Sequence, residues 1–326
     1  MKKIALMVLV AACIVSALIV SPTLAQDEVI KIGVLQLVEH SSLDAAYQGF
    51  IDALKAGGYE DGVNIEVDYQ NAQGDQANLM TISERFVKNQ VDLILAIATP
   101  AAQSVASATT EIPILFTAVT DPEAARLVES NEAPGMNVSG TTDAGPIDKQ
   151  LGLLQELYPD LKKIGIIYNS SEVNSDVQAK QAEAIAKELG WEVEFGTITS
   201  VNDIDQVATS LAGKVEGIYA PTDNTIASAM PNLAKVAEEK KLPVIAGAPD
   251  MVEAGGLATV GLDYYKLGMQ TGDMAIRILK GEAEPATMPV ESLTDVDIVL
   301  NLNYAKAIGY EFAQSVLDKA TKIIGE

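Results

Sequence analysis

Two four-residue stretches, KIGV at residues 31–34 and KIGI at residues 163–166, open the same order of segments. A polar loop with paired serines follows each stretch, at residues 41–42 and 170–171. An amphipathic stretch of helical length comes next, ends at Gly57 or Gly190, and leads into another β-branched segment. A pattern that restarts in the second half of the chain indicates two similar units of alternating strands and helices.

The β-branched segments are short and almost wholly apolar, as at residues 93–97, 114–117 and 217–220. Apolar runs separated by helices are typical of a parallel sheet that is buried on both faces. We therefore predict an α/β fold with two doubly wound parallel-sheet lobes joined by a hinge. The predicted crossings lie near residues 140–145, 262–264 and 291–294, so that lobe 1 comprises residues 26–140 and 263–290, and lobe 2 comprises residues 141–262 and 291–326.

The first 25 residues differ in composition from the rest of the chain. Lys2 and Lys3 precede an apolar run at residues 4–20, and a small-residue segment ends at Ala25. This order predicts a signal peptide over residues 1–25 and export to the periplasm or the cell surface. Residues 10–13 also fit a lipobox, in which Cys13 would carry a lipid. We favour cleavage after Ala25, because the run stays apolar beyond Cys13.

The composition describes a folded and strongly acidic protein. The 326 residues are 48% hydrophobic and 21% charged, with a formal net charge of −23. Such a charge repels phosphate backbones and anionic headgroups, so nucleic acid and membrane surfaces are not expected partners. We expect a monomer that binds a small molecule.

In open parallel sheets, ligands bind beyond the carboxyl ends of the strands, where helix N-termini present free N–H groups. The loops at these positions hold hydroxyls, amides and carboxylates but almost no Lys or Arg. That chemistry suits a zwitterion, with Asp223 or Glu39 binding an α-ammonium and Thr99 an α-carboxylate. Taken singly, each of these residues could equally be a helix N-cap. The predicted ligand-binding residues are Gln36, Glu39, His40, Thr99, Thr117, Asp121, Ser170, Ser171, Asn174, Thr222, Asp223, Asn224 and Asp250.

The sequence does not favour an enzyme. It contains no G-x-S-x-G elbow, no P-loop, and no G-x-G-x-x-G at the first turn. His40 is the only histidine and Cys13 the only cysteine, so no metal-site spacing exists. We predict no catalytic residue and no metal ligand.

Six segments together carry a resemblance to a known family. The chain resembles the tryptophan- and tyrosine-type substrate-binding proteins of ABC transporters, which have the type I periplasmic-binding fold. The resemblance implies a hinged receptor that closes on an amino acid, often an aromatic one, and then docks on a membrane permease, with no metal or organic cofactor. The segments are VEH at 38–40, ATPAAQ at 98–103, TAVTDP at 117–122, PTDN at 221–224, GGLA at 255–258 and DYYKLG at 263–268.

Two questions stay open at the level of sequence. An exported ligand sensor on the same fold, or a receptor for another small polar solute, would show the same segments. The preferred side chain of the ligand does not follow from the motifs either. The candidates for a wall facing an aromatic ring are Tyr168, Tyr219, Tyr264 and Phe116.

Overall fold

A computed structural model describes residues 29–325; the predicted signal peptide and Cys13 lie outside the described residues. The first lobe is built on a six-stranded sheet in the order β11-β5-β4-β3-β1-β2, with every strand pair parallel. Its strands are β1 (Ile30–Gln36), β2 (Ile65–Asn71), β3 (Leu93–Ile97), β4 (Ile114–Thr117), β5 (Val138–Thr142) and β11 (Glu291–Ser292). Its helices are α1 (Ser41–Ala56), α2 (Gln76–Asn89), α3 (Thr99–Ala108) and α10 (Tyr264–Leu279).

The second lobe is built on a seven-stranded sheet in the order β13-β12-β10-β9-β8-β6-β7. Its strands are β6 (Lys163–Asn169), β7 (Glu192–Ile198), β8 (Gly217–Ala220), β9 (Val244–Ala246), β10 (Ala258–Gly261), β12 (Asp297–Asn301) and β13 (Lys322–Ile324). Its helices are α4 (Ile147–Leu157), α5 (Val173–Glu188), α6 (Ile204–Ala212), α7 (Asn224–Ser228), α8 (Met230–Glu239), α9 (Pro249–Glu253), α11 (Leu302–Ile308) and α12 (Gln314–Leu317).

These two sheets confirm the predicted two-lobed α/β fold. The central strands β3, β4, β8 and β9 are buried along their whole length, as their unbroken apolar sequences predict. One feature differs from the prediction of parallel sheets: β12 runs antiparallel to β10. The segment that enters β12 comes directly from the first lobe, so no crossover helix forces it to run parallel.

The chain crosses between the lobes three times, after β5, after β10 and after β11. Strands β5 and β11 lie entirely in the first sheet, so Thr142 and Ser292 extend beyond the predicted lobe boundaries at 140 and 290. Helix α10 returns to the first lobe and packs closely on α1. A Cβ added at Gly268 would stand 1.9 Å from the Ala46 carbonyl oxygen, so this packing requires glycine.

Strand β2 begins at Ile65, directly after a turn. The Asn64 side chain accepts from the Glu60 N–H and donates to the Gly58 carbonyl, which holds the preceding residues in a turn. Across residues 29–325, no helix combines the length and the apolar character that a membrane crossing requires.

Candidate ligand-binding cleft

The carboxyl ends of the parallel strands in both lobes face one cleft. The cleft is narrow and almost filled by its own side chains, since only about 10 Å³ of it can hold the centre of a water-sized sphere. Its lining combines polar loops of both lobes with two of the three crossing segments. The lining residues are His40, Ser42, Leu43, Ala118, Thr120, Asp143, Asn174, Thr222, Asp223, Asn224, Ala227 and Tyr264.

Asp223 stands at the end of β8 on the second-lobe wall and is completely buried. One carboxylate oxygen accepts from the Ile226 N–H at 2.8 Å, which caps helix α7. The other accepts from the Asn169 N–H at 2.6 Å, which ties the end of β6 to the cap. Burial raises the pKa of Asp223, and these two N–H groups oppose that rise.

Glu172 lies beside Asp223 and is also buried. Its carboxylate accepts from the Asn224 amide at 2.6 Å, the Thr225 hydroxyl at 3.0 Å and the Asn169 amide at 3.2 Å. Burial, reinforced by the neighbouring Asp223 charge, raises the pKa of Glu172 to about 7. The second-lobe wall therefore consists of two adjacent carboxylates held in a network of amides and hydroxyls.

The first-lobe wall is shaped mainly by its backbone. Ala98, between β3 and α3, has a φ of 82° and a ψ of 154°, a region that is almost reserved for glycine. Ala118, just after β4, has a φ of 56°. Thr99 follows Ala98 at the start of α3 and is 1% exposed, and its hydroxyl has no hydrogen-bond partner. Strained backbone at two strand ends marks this wall as a functional surface.

Asp143 lies on the crossing segment that follows β5 and is 4% exposed. The Tyr264 hydroxyl, at the start of α10, donates to its Oδ2 at 2.6 Å. Its Oδ1 is buried without a hydrogen-bond partner. Burial raises the pKa of Asp143, and the Tyr264 hydrogen bond opposes that rise. The hinge thus presents a third buried carboxylate to the cleft.

One side-chain hydrogen bond joins the two walls. His40 Nε2, in the first lobe, lies 3.4 Å from Asn224 Oδ1 in the second. Because the Asn224 amide nitrogen donates to Glu172, its oxygen faces His40 and the imidazole must donate from Nε2. Burial lowers the pKa of His40 to about 4, against smaller opposing effects of Asn224 and Asp44. The cleft therefore holds a neutral imidazole when it is closed.

Five of the thirteen predicted ligand-binding residues line the cleft: His40, Asn174, Thr222, Asp223 and Asn224. Thr99 is buried and is not among the lining residues. The rest lie elsewhere. Glu39, Ser170 and Ser171 are exposed, Gln36 and Thr117 bond within the first lobe, Asp121 caps the Ala124 N–H, and Asp250 lines a neighbouring groove. Of the four aromatic candidates, Tyr264 alone is in the lining, whereas Tyr219 and Phe116 are core residues and Tyr168 packs on Phe195.

Sequence reasoning missed Asp143 and Glu172. Glu172 lies in a strand-end loop between the predicted residues Ser171 and Asn174, where a single acidic residue is typical of a solvent-exposed charge. Asp143 lies in a predicted crossing and not at a strand-end loop, so the rule that selected the other residues passed over it. Tyr264 belongs to the segment at residues 263–268 that carries the family resemblance. Its hydrogen bond to Asp143 becomes visible only in the folded structure.

Residues 31–324 match the profile of the ABC transporter substrate binding protein family. The chain belongs to this family. It is 48% identical over 278 residues to the tyrosine-binding protein of Clostridioides difficile, covering 85% of this chain and 80% of that protein. An uncharacterised protein of Rickettsia prowazekii is 26% identical over 272 residues, covering 83% of each chain. The family consists of solute-binding receptors that act outside the cytoplasm and is not an enzyme class.

Two solved structures superimpose on this chain to different degrees. A Streptococcus pneumoniae protein in complex with L-Trp is 42% identical and superimposes with a TM-score of 0.87, covering 90% of this chain and 99% of that one. The ligand-free, open structure of an adhesive substrate-binding protein from Clostridium difficile is 46% identical, yet its TM-score is 0.70 at coverages of 91% and 100%. The open structure is therefore the more similar of the two in sequence but superimposes less well on this chain.

Proposed function

We propose that this substrate-binding protein captures a free amino acid, with an aromatic or other hydrophobic side chain, between its two lobes. The observation that carries the proposal is the charge of the cleft. Asp143, Glu172 and Asp223 are all buried on or beside its lining, and no ion pair within residues 29–325 includes any of them. A buried carboxylate without a cation is costly, so the site favours a ligand that brings a positive charge.

The relatives support the same class of ligand. One is a tyrosine-binding protein, and another was solved with L-Trp. Thr99 and the N–H groups at the start of α3 provide donors and a hydroxyl for the ligand carboxylate, as the N-terminus of a helix does for anions. A dicarboxylate or a phosphate would place a second negative charge against the buried acids and is disfavoured.

The family supports a wider role in transport. We propose that the closed receptor docks on the permease of an ABC importer, acts as a monomer and catalyses no reaction. Export depends on residues 1–25, with cleavage after Ala25. Mass spectrometry of the protein from its native host tests the export step: Gln26 is the expected N-terminus, and a lipid on Cys13 would contradict it.

A thermal-shift screen of the mature protein against the twenty amino acids, simple sugars and dicarboxylates tests the ligand class. A ligand at 100 times its Kd adds about 2.7 kcal/mol to the stability of the folded state, which is a shift of several degrees. We expect L-tyrosine, L-tryptophan or another hydrophobic amino acid to give the largest shift. A shift with a sugar and with no amino acid would overturn the proposal.

A further inference from the structure

We propose that Asp143, oriented by Tyr264, binds the ammonium of the ligand through Oδ1, and that Asn174 completes the site from the second lobe. This proposal rests on the proposed function, because it assigns the amine end of the same ligand. It differs from the expectation drawn from the sequence, in which Asp223 held that role.

The three buried carboxylates differ in how many hydrogen bonds their own lobe already supplies. Glu172 accepts from Asn169, Asn224 and Thr225, through both oxygens. Both oxygens of Asp223 accept from backbone N–H groups. These hydrogen bonds connect the loops that follow β6 and β8 in the second lobe. Asp143 accepts from the Tyr264 hydroxyl through Oδ2, and the Thr120 hydroxyl is near enough to lower the pKa of the same carboxyl. Its Oδ1 is buried on the cleft and accepts no hydrogen bond of good geometry.

A second buried oxygen atom of the cleft lining also lacks a hydrogen-bond donor. Asn174 Oδ1, at the start of α5, is buried without a partner, and the residue is 3% exposed. Among the lining residues, the buried polar side-chain atoms that lack a partner are these two oxygens, and both are acceptors. Acceptors call for a ligand group rich in donors. An ammonium offers three N–H donors and a positive charge, so one group can satisfy both oxygens.

The two acceptors, Asp143 and Asn174, lie on opposite sides of the cleft, which links ammonium binding to closure of the lobes. Asp143 follows β5, and Tyr264 begins α10, so both are attached to the first-lobe side of the hinge. Asn174 belongs to the second lobe. The amine therefore meets its charged partner on the hinge, and it gains its second acceptor when the second lobe closes over it. A ligand that interacts more strongly with the closed arrangement shifts the population toward it.

The test combines one substitution in the protein with removal of the amino group from the ligand. Calorimetry compares L-tryptophan with indole-3-propionate, and L-tyrosine with 3-(4-hydroxyphenyl)propionate; each second compound lacks the amino group. In the wild type we expect the loss of the amino group to weaken binding by about 10- to 100-fold, as for a charge-assisted hydrogen bond. In Asp143→Asn that penalty should shrink to a few-fold. The change in the protein and the change in the ligand together form a double-mutant cycle, which measures the interaction between Asp143 and the amino group.

Asp148→Asn is the matched control, because it removes the same charge from an exposed position on α4 near the same crossing. It should keep the full amino-group penalty. If Asp143→Asn does not melt cooperatively, Asn174→Ala takes its place, since it removes the second acceptor from the other lobe. A full penalty in the variant would overturn this inference and leave the proposed function standing. Failure of the wild type to bind any amino acid would overturn the proposed function instead.

Discussion

The two walls of the cleft are organised by different means. The second-lobe wall is a side-chain network, in which Glu172 and Asp223 accept from amides, a hydroxyl and backbone N–H groups. The first-lobe wall holds its shape through backbone strain at Ala98 and Ala118, beside the unpartnered Thr99 hydroxyl. The second wall is therefore held by its own hydrogen bonds, whereas the first keeps a buried hydroxyl without a partner.

Removing the Asp223 carboxylate should have the largest effect on stability. Asp223→Ala leaves the N–H groups of Asn169 and Ile226 buried without acceptors. Each such donor costs about 1–3 kcal/mol, and relief of the repulsion on Glu172 offsets only part of that cost. We expect the melting temperature to fall by several degrees or more, as measured by calorimetry without ligand.

Asp75→Ala is the matched control from the other lobe, because Asp75 caps α2 through the N–H groups of Ala77 and Asn78 at an exposed site. Water can replace a cap there, so the loss should be about 1 kcal/mol. Equal losses at the two positions would show that Asp223 is an ordinary cap and that the second wall is not a buried network.

Glu172 should make the second wall sensitive to pH. Its pKa rises from 4.5 to about 7 in the folded protein, so the folded state binds more protons between these values. Stability therefore falls as the pH rises from about 4.5 to 7 and stays level above that. In Glu172→Gln this contribution is absent. The stability difference between variant and wild type should shift in favour of the variant by roughly 2–3 kcal/mol over this window, at about 1.4 kcal/mol per pKa unit.

Thermal unfolding at half-unit pH steps measures that difference. His40 and the acids remote from Glu172 titrate in both proteins and cancel from the comparison. Glu188→Gln, at an exposed position on the same helix α5, is the matched control for the loss of one carboxylate. A pH-independent difference for Glu172→Gln would mean that Glu172 is ionised throughout the window.

The fold was accessible from the sequence because the strands β3, β4 and β8 are apolar throughout and the KIGV and KIGI segments repeat. The second wall was partly accessible, since His40, Asn174, Thr222, Asp223 and Asn224 are polar residues at strand ends. The hydrogen-bonding roles of these residues could not be predicted from the sequence. The Asn169 N–H that engages Asp223 is 54 residues away along the chain, and only folding brings the two together.

The first wall and the hinge were the least accessible. The strained φ at Ala98 leaves no mark in the residue type, because alanine is common in any structure. The Asp143 and Tyr264 pair spans 121 residues and joins two crossing segments, so no local pattern reveals it. Backbone conformation and long-range pairing are properties of the folded chain.

The strain at Ala98 can be measured by substitution with glycine. Glycine adopts the Ala98 conformation freely, so the substitution removes strain of about 1–3 kcal/mol that offsets the lost methyl group. We expect Ala98→Gly to leave the melting temperature unchanged or to raise it. Ala96→Gly, at an equally buried position within β3, should lower the melting temperature. Similar decreases at both positions would contradict strain in the first wall.

The smallest expected effect concerns the contact between the walls. The His40–Asn224 hydrogen bond exists only when the lobes are closed, and at 3.4 Å it is long. A neutral hydrogen bond contributes about 0.5–1.5 kcal/mol, so His40→Ala should weaken amino-acid binding by about 2- to 10-fold. The loss should appear mainly as faster dissociation, because the bond forms after the ligand has entered. Stopped-flow fluorescence and a melting curve of the ligand-free variant separate this effect from a loss of stability.

His40 is also the chain's single histidine, so its imidazole gives one resolved NMR signal. Burial in the closed cleft lowers its pKa from 6.5 to about 4, whereas an open cleft would leave it near the ordinary value. Adding ligand should therefore lower the measured pKa of His40.

By linkage, closure releases a proton between about pH 4 and 6.5, so His40 makes affinity fall as the pH drops through that window. Asp44 on α1 favours the charged imidazole and reduces the shift without reversing it. In His40→Asn this part of the pH dependence should vanish, while the contribution of Asp143 remains. An unchanged pKa of His40 on ligand addition would show that the two walls do not meet at this residue.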